Sequence, residues 1–471
     1  MKEISIWKDT VNETNYQKLN EDKKVDVLII GGGITGLSTL YNLKDSNLKV
    51  MLVEQNRLGM SVTGNSTGKL SYLQNDLLDK IRKCHNDEIA SKYLKSQRHA
   101  IKMIVDTVKK ENIDCDLEKV DSYLYTNKDN EIKKMEDLVK FLNNNGIETK
   151  NINNDIVDSK YMISVSDTYI FHPIKFIYGL IKNIKFPIYE QTSIKNITKE
   201  EDYYIAYTDK YKIKAQWIVM ASHYPYFNLP YLFPIKSSLE KSYLSASKKD
   251  IDKISLISYS NPFISIRSYK DYLVYLSNSH TINKDTSDLE NYQELMRKLN
   301  VFDVTPDYVW SNIDIITNDG MPYIGKIDDK LLIGTGYNTW GLASGFICGK
   351  ILSDILLDRE NSYIELFNPK RKGSLTILSG IKDAVNSVDG YVKGYLDKND
   401  NILYDKKDGK DVIIYDDGKE KHIVYQHCPH LGCKLLFNEI EKTWDCPCHG
   451  SRFDLDGKCI SAPANKDITY K

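Results

Sequence analysis

Four residues near the C-terminal end of this 471-residue chain could hold metal: Cys428, His430, Cys446 and His449. They come in two short phrases, CPHLGC from Cys428 and CPCHGS from Cys446. Each half therefore supplies one thiol and one imidazole, spaced C-x-H and C-x-x-H. Two soft thiolates suit one iron of a two-iron cluster, and two imidazoles suit the other. Neutral imidazoles in place of thiolates remove negative charge and raise the reduction potential. Two cysteines and two histidines are equally a zinc set. Of the eight cysteines, Cys84, Cys115 and Cys348 are scattered and read as ordinary buried thiols, whereas Cys428, Cys433, Cys446, Cys448 and Cys459 crowd the end.

A second chemistry lies about 400 residues upstream. The apolar run VDVLII, 25–30, reads as a buried parallel strand, and Gly31, Gly33 and Gly36 follow it in the order G-x-G-x-x-G. Gly31 makes the tight turn, Gly33 lets the backbone approach a pyrophosphate, and Gly36 lets helix and strand pack closely. The helix opened by Ile34 and Thr35 presents its N-terminus to negative charge. A second strand, 50–53, ends at Glu54, eighteen residues after Gly36, where a carboxylate can accept the ribose hydroxyls. Gln55 beside it is a further candidate contact. Strand, glycines, helix, strand and acid together specify a dinucleotide site, but do not separate FAD from NAD.

Three segments carry a resemblance that does. GMSVTGNSTGKLS (59–71), DGMPYIG (319–325) and LLIGTGYNTWGLASG (331–345) resemble the glycine oxidase/D-amino-acid oxidase-like flavoproteins. The likeness spans about residues 25–358, with a divergent middle. It implies FAD, with candidate contacts at Ser66, Thr67, Gly68, Lys69, Ile194, Gly325, Gly334, Gly336, Trp340, Gly341 and Leu342. In such proteins the late segment returns to cover the flavin, and a helix dipole there would stabilise the anionic reduced ring. On its residues alone, 331–333 is strand-like and the small residues after Trp340 permit close packing. An HP pair, His172-Pro173, marks where family members start a helix running back to the FAD domain. His172 is expected to be structural or pocket-lining before catalytic. Arg267 sits where such enzymes place a residue facing flavin or substrate; it could bind a carboxylate bidentately or form an ordinary salt bridge. His223, after the strand-like QWIVMAS, completes the catalytic candidates.

The C-terminal phrases closely resemble the Rieske family over about residues 392–471, with SAPA (461–464) similar to its proline-containing third loop. The resemblance favours a [2Fe-2S] cluster over zinc. It implies a Cys433–Cys448 disulfide linking the two cluster loops, and it makes Ser451 a donor to cluster sulfur. Where the high-potential pattern has a second donor, tyrosine, this chain has Phe453. Losing that hydroxyl should place the potential below the respiratory Rieske proteins and above plant-type ferredoxins.

Holding these sites takes more than one core, and the chain is long enough for two or three domains. Residues 75–150 show charged, apolar-periodic segments expected to be helices, and 151–164 fits no element. Alternation in SLEKSYLSAS and in SLISYSNPFISIRSYKDYLVYLSNS predicts an antiparallel sheet. NPKRKGS reads as a linker, 375–392 as a short docking helix, and GYVKGYL, DVIIYDD and KHIVYQ as short strands with turns at DDGKE and LDGKC. The expected fold class is α/β (α+β) multidomain: a Rossmann-like FAD-binding domain with an antiparallel-sheet substrate domain, then a small all-β Rieske domain. The boundaries read 1–80 (FAD domain, first part), 81–170 (mixed helical and substrate region), 171–220 (FAD domain, second part) and 221–315 (substrate domain). They continue as 316–367 (FAD domain, C-terminal part), 368–391 (linker and docking helix) and 392–471 (Rieske domain).

The expected function is FAD-dependent oxidation of a small amine or amino acid, with single electrons exchanged through the cluster with a protein partner. The alternative is a non-catalytic electron-transfer or redox-sensing protein. A Rieske-type oxygenase would need a two-histidine, one-carboxylate iron site, and the nine histidines include no clustered pair outside the cluster loops. A ferredoxin reductase would need a second nucleotide fingerprint, and none stands out. A net charge of -1 points to no nucleic acid. No run of 18 apolar residues predicts a transmembrane segment. The opening residues lack a signal-peptide pattern, so a cytoplasmic location and no secreted disulfide scaffold are expected.

Overall fold

The computed structural model describes residues 1–152, 156–224, 236–282, 287–371 and 401–470. Most of the expected linker and docking helix, and the strand expected at GYVKGYL, lie outside the described residues. No helix among those described is long and apolar enough to cross a membrane.

One sheet is built around Lys23–Ile30, which runs parallel to Lys212–Met220 on one side and Val50–Val53 on the other. Its last four residues are all buried, because helices and neighbouring segments cover both faces. Leu331–Thr335 and Tyr323–Asp328 extend the sheet beyond Lys212–Met220, and Ile188–Tyr189 extends it beyond Val50–Val53. In register, Ile30 lies opposite both Met220 and Val53, so three strands end at one level. In such a sheet the crevice beyond the carboxyl ends is where ligands bind. The helix Ile34–Asn42 starts there and packs against Gly341–Leu356, tied by the Ser38 hydroxyl donating to the Phe346 carbonyl at 2.7 Å.

The second sheet has nine strands. Its outer strand Tyr308–Thr317 pairs antiparallel with Ser237–Lys248, which pairs with Tyr272–Thr281, then Ser265–Tyr269 and Ser255–Ser258. The next strand corrects the sequence reading. Residues 75–150 are not all helical: Asp87–Lys110 and Asp129–Asn144 are, but Glu118–Thr126 between them is a strand. It lies parallel to Ser255–Ser258 and antiparallel to Tyr161–Ile170. The latter strand takes in the end of the segment to which no element was assigned. Both partners are distant in sequence, and pairing with them overrides the helical signals on either side.

The first residues also carry more structure than their polarity suggests. Ile6–Asp9 is a short helix, and Trp7 is fully buried, donating its indole N–H to the Ser66 carbonyl at 2.6 Å.

The C-terminal residues form two small antiparallel sheets, Ile402–Lys407 with Lys410–Asp416 and Lys421–Tyr425, and a four-stranded sheet from Leu436–Asn438 to Cys459–Ser461. Val424, Trp444 and Phe453 are fully buried between them. This module is seated on the nine-stranded sheet through buried charge. Lys241 bridges Asp288 at 2.7 Å and Asp445 at 2.9 Å. Arg452 pairs with Glu441 and Asp445 and reaches the Ser311 hydroxyl, while Tyr292 donates to Glu441 at 3.0 Å.

A cavity shared by three parts of the chain

A cavity opens where the parallel strands end. Gly31 turns at φ +113°, and a Cβ there would sit 2.5 Å from the Ala221 carbonyl oxygen. A Cβ on Gly36 would sit 1.9 Å from the Gly31 oxygen. Gly33, in contrast, would meet only the Thr63 hydroxyl, at 3.2 Å, so its open side faces the cavity. It caps the helix with no side chain of its own; Thr63 accepts from Ile34 N at 3.1 Å, and the rest of the helix N-terminus is left to act on whatever enters. Glu54 lines the same end, and its carboxylate accepts from Gly32 N and Asn56 N, both at 2.7 Å. Burial pushes its carboxyl up, and these N–H groups oppose the shift. Gln55, Arg57, Thr192 and Ile194 close this end.

The opposite wall is the nine-stranded sheet. Ser242 and Leu244, and Asn312 and Asp314, contribute alternate positions of two adjacent strands, and Leu276 and Ser279, on either side of a register shift, come from the third. Asp314 accepts from Asn312 at 2.9 Å; burial, then Glu240 opposite it in register, push its carboxyl up to about 7. Lys69 donates to the Leu256 carbonyl and the Ser265 hydroxyl, each at 2.6 Å. Burial, then Arg267, hold its ammonium well below the usual value. His223 is at 3.0 Å from the Ile313 carbonyl, and burial lowers its ring to about 4, so it is neutral and Nε2 carries the donated proton. Trp340 lines the cavity too, and its buried indole N–H has no hydrogen-bond partner among the described residues.

Of the candidates named from sequence, Gly31, Gly33, Ile34, Thr35, Glu54, Gln55, Ser66, Thr67, Lys69, Ile194, Gly334, Trp340, Gly341 and Leu342 line this cavity, as does His223. The others are elsewhere. Gly36 serves helix–strand packing. Gly325, at φ +133°, sits inside the strand Tyr323–Asp328, and Gly336, at φ +74°, follows Leu331–Thr335; neither lines the cavity. Gly68 offers its carbonyl to Arg267, away from the cavity. Arg267 itself does not face substrate. It is buried, and its Nη1 donates to the carbonyls of Thr67, Gly68 and Phe171 at 3.0, 2.6 and 3.0 Å. Nor does His172 line the cavity: it caps the helix Pro173–Ile181, its Nδ1 accepting from Lys175 N at 3.2 Å, and burial lowers it to about 3. Residues missed from sequence include Thr63, Ser242, Asn312 and Asp314. Strand alternation could have supplied their face, but nothing local said that face fronts a cavity.

In the C-terminal module, Cys428 and Cys446 are buried free thiols, and Cys433 and Cys448 are disulfide-bonded. The rings of His430 and His449 stand 4.9 Å apart, and the buried Nδ1 of each has no hydrogen-bond partner among the described residues. Burial lowers both rings, His449 to about 4, which keeps them neutral as ligands must be. Two thiols and two orphaned imidazole nitrogens converging at one tip fit a two-iron cluster. The orphaned Trp340 N–H and the open face of Gly33 likewise fit a bound dinucleotide. Ser451 is buried and accepts from Ala464 N at 2.9 Å, which fastens the second cluster loop to the third.

That third loop joins the two centres. Ile460, Ser461 and Ala462 line the same cavity as the glycine loop. Gln55 donates to the Cys459 carbonyl at 2.9 Å, and Lys195 and Asn465 exchange side-chain-to-carbonyl bonds at 2.6 and 2.9 Å. On the other side of the tip, Gly450, next to His449, lies against Ile282 and Ile313. Ile313 is the residue whose carbonyl meets His223.

Comparisons with known proteins agree with this geometry. The family described as FAD dependent oxidoreductase (DAO) matches residues 26–355, and the Rieske [2Fe-2S] domain matches residues 393–470. The chain is 28% identical to a Bacillus subtilis protein bearing the name of a Rieske 2Fe-2S iron-sulfur protein, YhfW, over 98% of this chain and 96% of that one. It is 21% identical to gamma-glutamylputrescine oxidoreductase of Escherichia coli over 72% of this chain and 85% of that one. Glycine oxidase from Geobacillus kaustophilus shares the fold at a TM-score of 0.63 and 15% identity, over 75% of this chain and all of that one.

Proposed function

The chain belongs to the FAD dependent oxidoreductase family and carries a C-terminal Rieske [2Fe-2S] domain, and on that premise we propose that it oxidises a small amine or amino acid and passes the electrons through its own cluster to a protein acceptor. FAD, when bound, accepts a hydride from the carbon beside the substrate nitrogen; the iminium left behind takes up water and releases a carbonyl compound and ammonium. The glycine loop and the helix N-terminus behind Gly33 hold the pyrophosphate, and Glu54 receives the ribose. Trp340, Gly341 and Leu342 border the flavin, with the indole N–H as a donor. Cys428, His430, Cys446 and His449 hold the irons. His223, neutral and committed to Ile313, positions the wall between cavity and cluster and is not the base. Hydride leaves only from the neutral amine, so a substrate that arrives as an ammonium gives up its proton first.

The observation that carries this reading is the shared wall: one loop of the cluster domain borders the cavity that starts at Gly31. A simple oxidase gives its electrons to oxygen and has no use for such a wall. The names of related proteins, glycine oxidase and gamma-glutamylputrescine oxidoreductase, support a substrate with a C–N bond. Anaerobic stopped-flow absorbance against a panel of amines and amino acids tests it. Flavin bleaching followed by the cluster's spectral change is expected. A protein with both cofactors loaded whose flavin no such compound reduces would instead be an electron-transfer or sensing protein.

A further inference from the structure

The sheet wall of the cavity is poor in what a carboxylate needs. None of the eight arginines reaches it. Arg57 lines the far, nucleotide end and holds Glu190 at 2.8 Å. Arg267 lies outside the lining and gives its bonds to four backbone carbonyls, and Arg371 and Arg452 pair with Asp319 and with Glu441 and Asp445. Arg82 pairs with Asp79 and Asp87, and Arg98, Arg297 and Arg359 are exposed. Lys69 is the one lysine among the described lining residues, and two of its hydrogens already go to Leu256 and Ser265.

The same wall is well supplied with acceptors. Asp314 lines the cavity together with Asn312 on its own strand, Ser242 on the neighbouring strand and Ser279 on the strand beyond that. Glu240 lies directly opposite Asp314 in the strand register. A substrate carboxylate brought here would meet like charge with no guanidinium to offset its desolvation. An ammonium would meet a carboxylate and hydroxyl oxygens.

We propose that this cavity takes a cationic amine with no carboxylate beside the reacting carbon, its ammonium received by Asp314, which takes the proton so that hydride leaves from the neutral amine. This rests on the amine or amino-acid oxidation argued above, and it narrows that reading to amines.

The test uses a matched pair that cannot be oxidised, tert-butylammonium and pivalate, which share a carbon skeleton and differ in the sign of charge. Calorimetric titration of the FAD- and cluster-loaded protein is expected to show the cation bound at least about tenfold more tightly than the anion. Asp314→Asn should weaken the cation about tenfold or more, and Asp314→Glu should retain it; flavin absorbance reports whether each variant is still loaded. Equal or tighter binding of pivalate, no binding of tert-butylammonium, or an Asp314→Asn protein that binds the cation as before would overturn the proposal. Anaerobic reduction by phenethylamine and by phenylalanine separates this from the wider reading. Faster reduction by phenylalanine sinks the amine assignment and leaves the oxidoreductase standing. Asp314-dependent binding with no reduction by either sinks the oxidoreductase and leaves the cation site.

Discussion

Arg267 holds three carbonyls with one nitrogen and lies over the rings of Trp7 and Tyr269, 5.0 and 5.5 Å from their centres. Its charge is matched by dipoles and aromatic faces instead of a substrate. Burial lowers even this guanidinium, to about 9. Arg267→Met should therefore act on stability. Gly68 O keeps its bond from Phe171 N, but removing the donor from the other carbonyls costs on the order of 3 kcal/mol or more, read by denaturant unfolding. If that variant kept its stability and lost only turnover, the arginine would belong to the chemistry after all. Phe453 shows the opposite case, a residue whose meaning was plain in the sequence. It is fully buried in the core that also contains Cys428 and Cys446. Phe453→Tyr should add a donor near the cluster and raise its potential, by on the order of 100 mV if one charged-group hydrogen bond is gained. A redox titration of the two proteins checks it; an unchanged or lower potential would mean that the new hydroxyl does not reach sulfur.

Among the elements, the strand–loop–helix unit at Lys23–Asn42 separates two glycines that a motif treats alike. Gly36 has backbone 1.9 Å from where a Cβ would go, whereas Gly33 has a hydroxyl at 3.2 Å and open cavity beyond. Gly36→Ala should push the helix off the sheet and destabilise the protein before any ligand is added. Gly33→Ala should fold with near-normal stability yet bind FAD much more weakly, because the methyl occupies the pyrophosphate's approach. Paired measurements of unfolding and FAD affinity distinguish them, and equal loss of both in both variants would refute the division of labour. The unit was readable because each of its parts is local. Glu118–Thr126 was not, since its only reason to be extended is pairing with strands at 161–170 and 255–258.

At the scale of the whole molecule, the cluster domain acts as a wall of the flavin cavity. Its seat is the charge network around Lys241, which is buried between Asp288 and Asp445. Lys241→Met would leave Asp288 without its cation and Asp445 with Arg452 alone, at a cost of about 3–5 kcal/mol, loosening the seat. Since Ile460–Ala462 ride on that domain, FAD should bind more weakly in this variant although Lys241 itself does not line the cavity. An unaltered FAD dissociation constant would show that the third loop only brushes the site. Glu441 adds an acid limit. Burial works to raise its carboxyl, but Arg452 and Lys241 outweigh that and hold it below the ordinary value. A carboxyl depressed in the folded state stabilises it above the unfolded pKa, near 4.3, and that contribution is lost as pH falls through the lower folded value. The seat should thus be indifferent to pH around neutrality and weaken below about pH 4.

The sequence by itself determined a dinucleotide site and a set of metal ligands, and family likeness named FAD and the [2Fe-2S] cluster. A cluster loop and a dinucleotide loop each need particular residue types within a few positions of one another, so their chemistry is written locally. It also marked the disulfide partners through family likeness, and the structure joins Cys433 to Cys448. Only the tertiary structure decided what lies between the two sites: that Gln55 reaches Cys459 across about 400 residues, that Arg267 and His172 serve the scaffold, and that Asp314 fronts the cavity. Those roles depend on which strand faces pair and which loops meet in space, and no residue type carries that information until the chain has closed on itself.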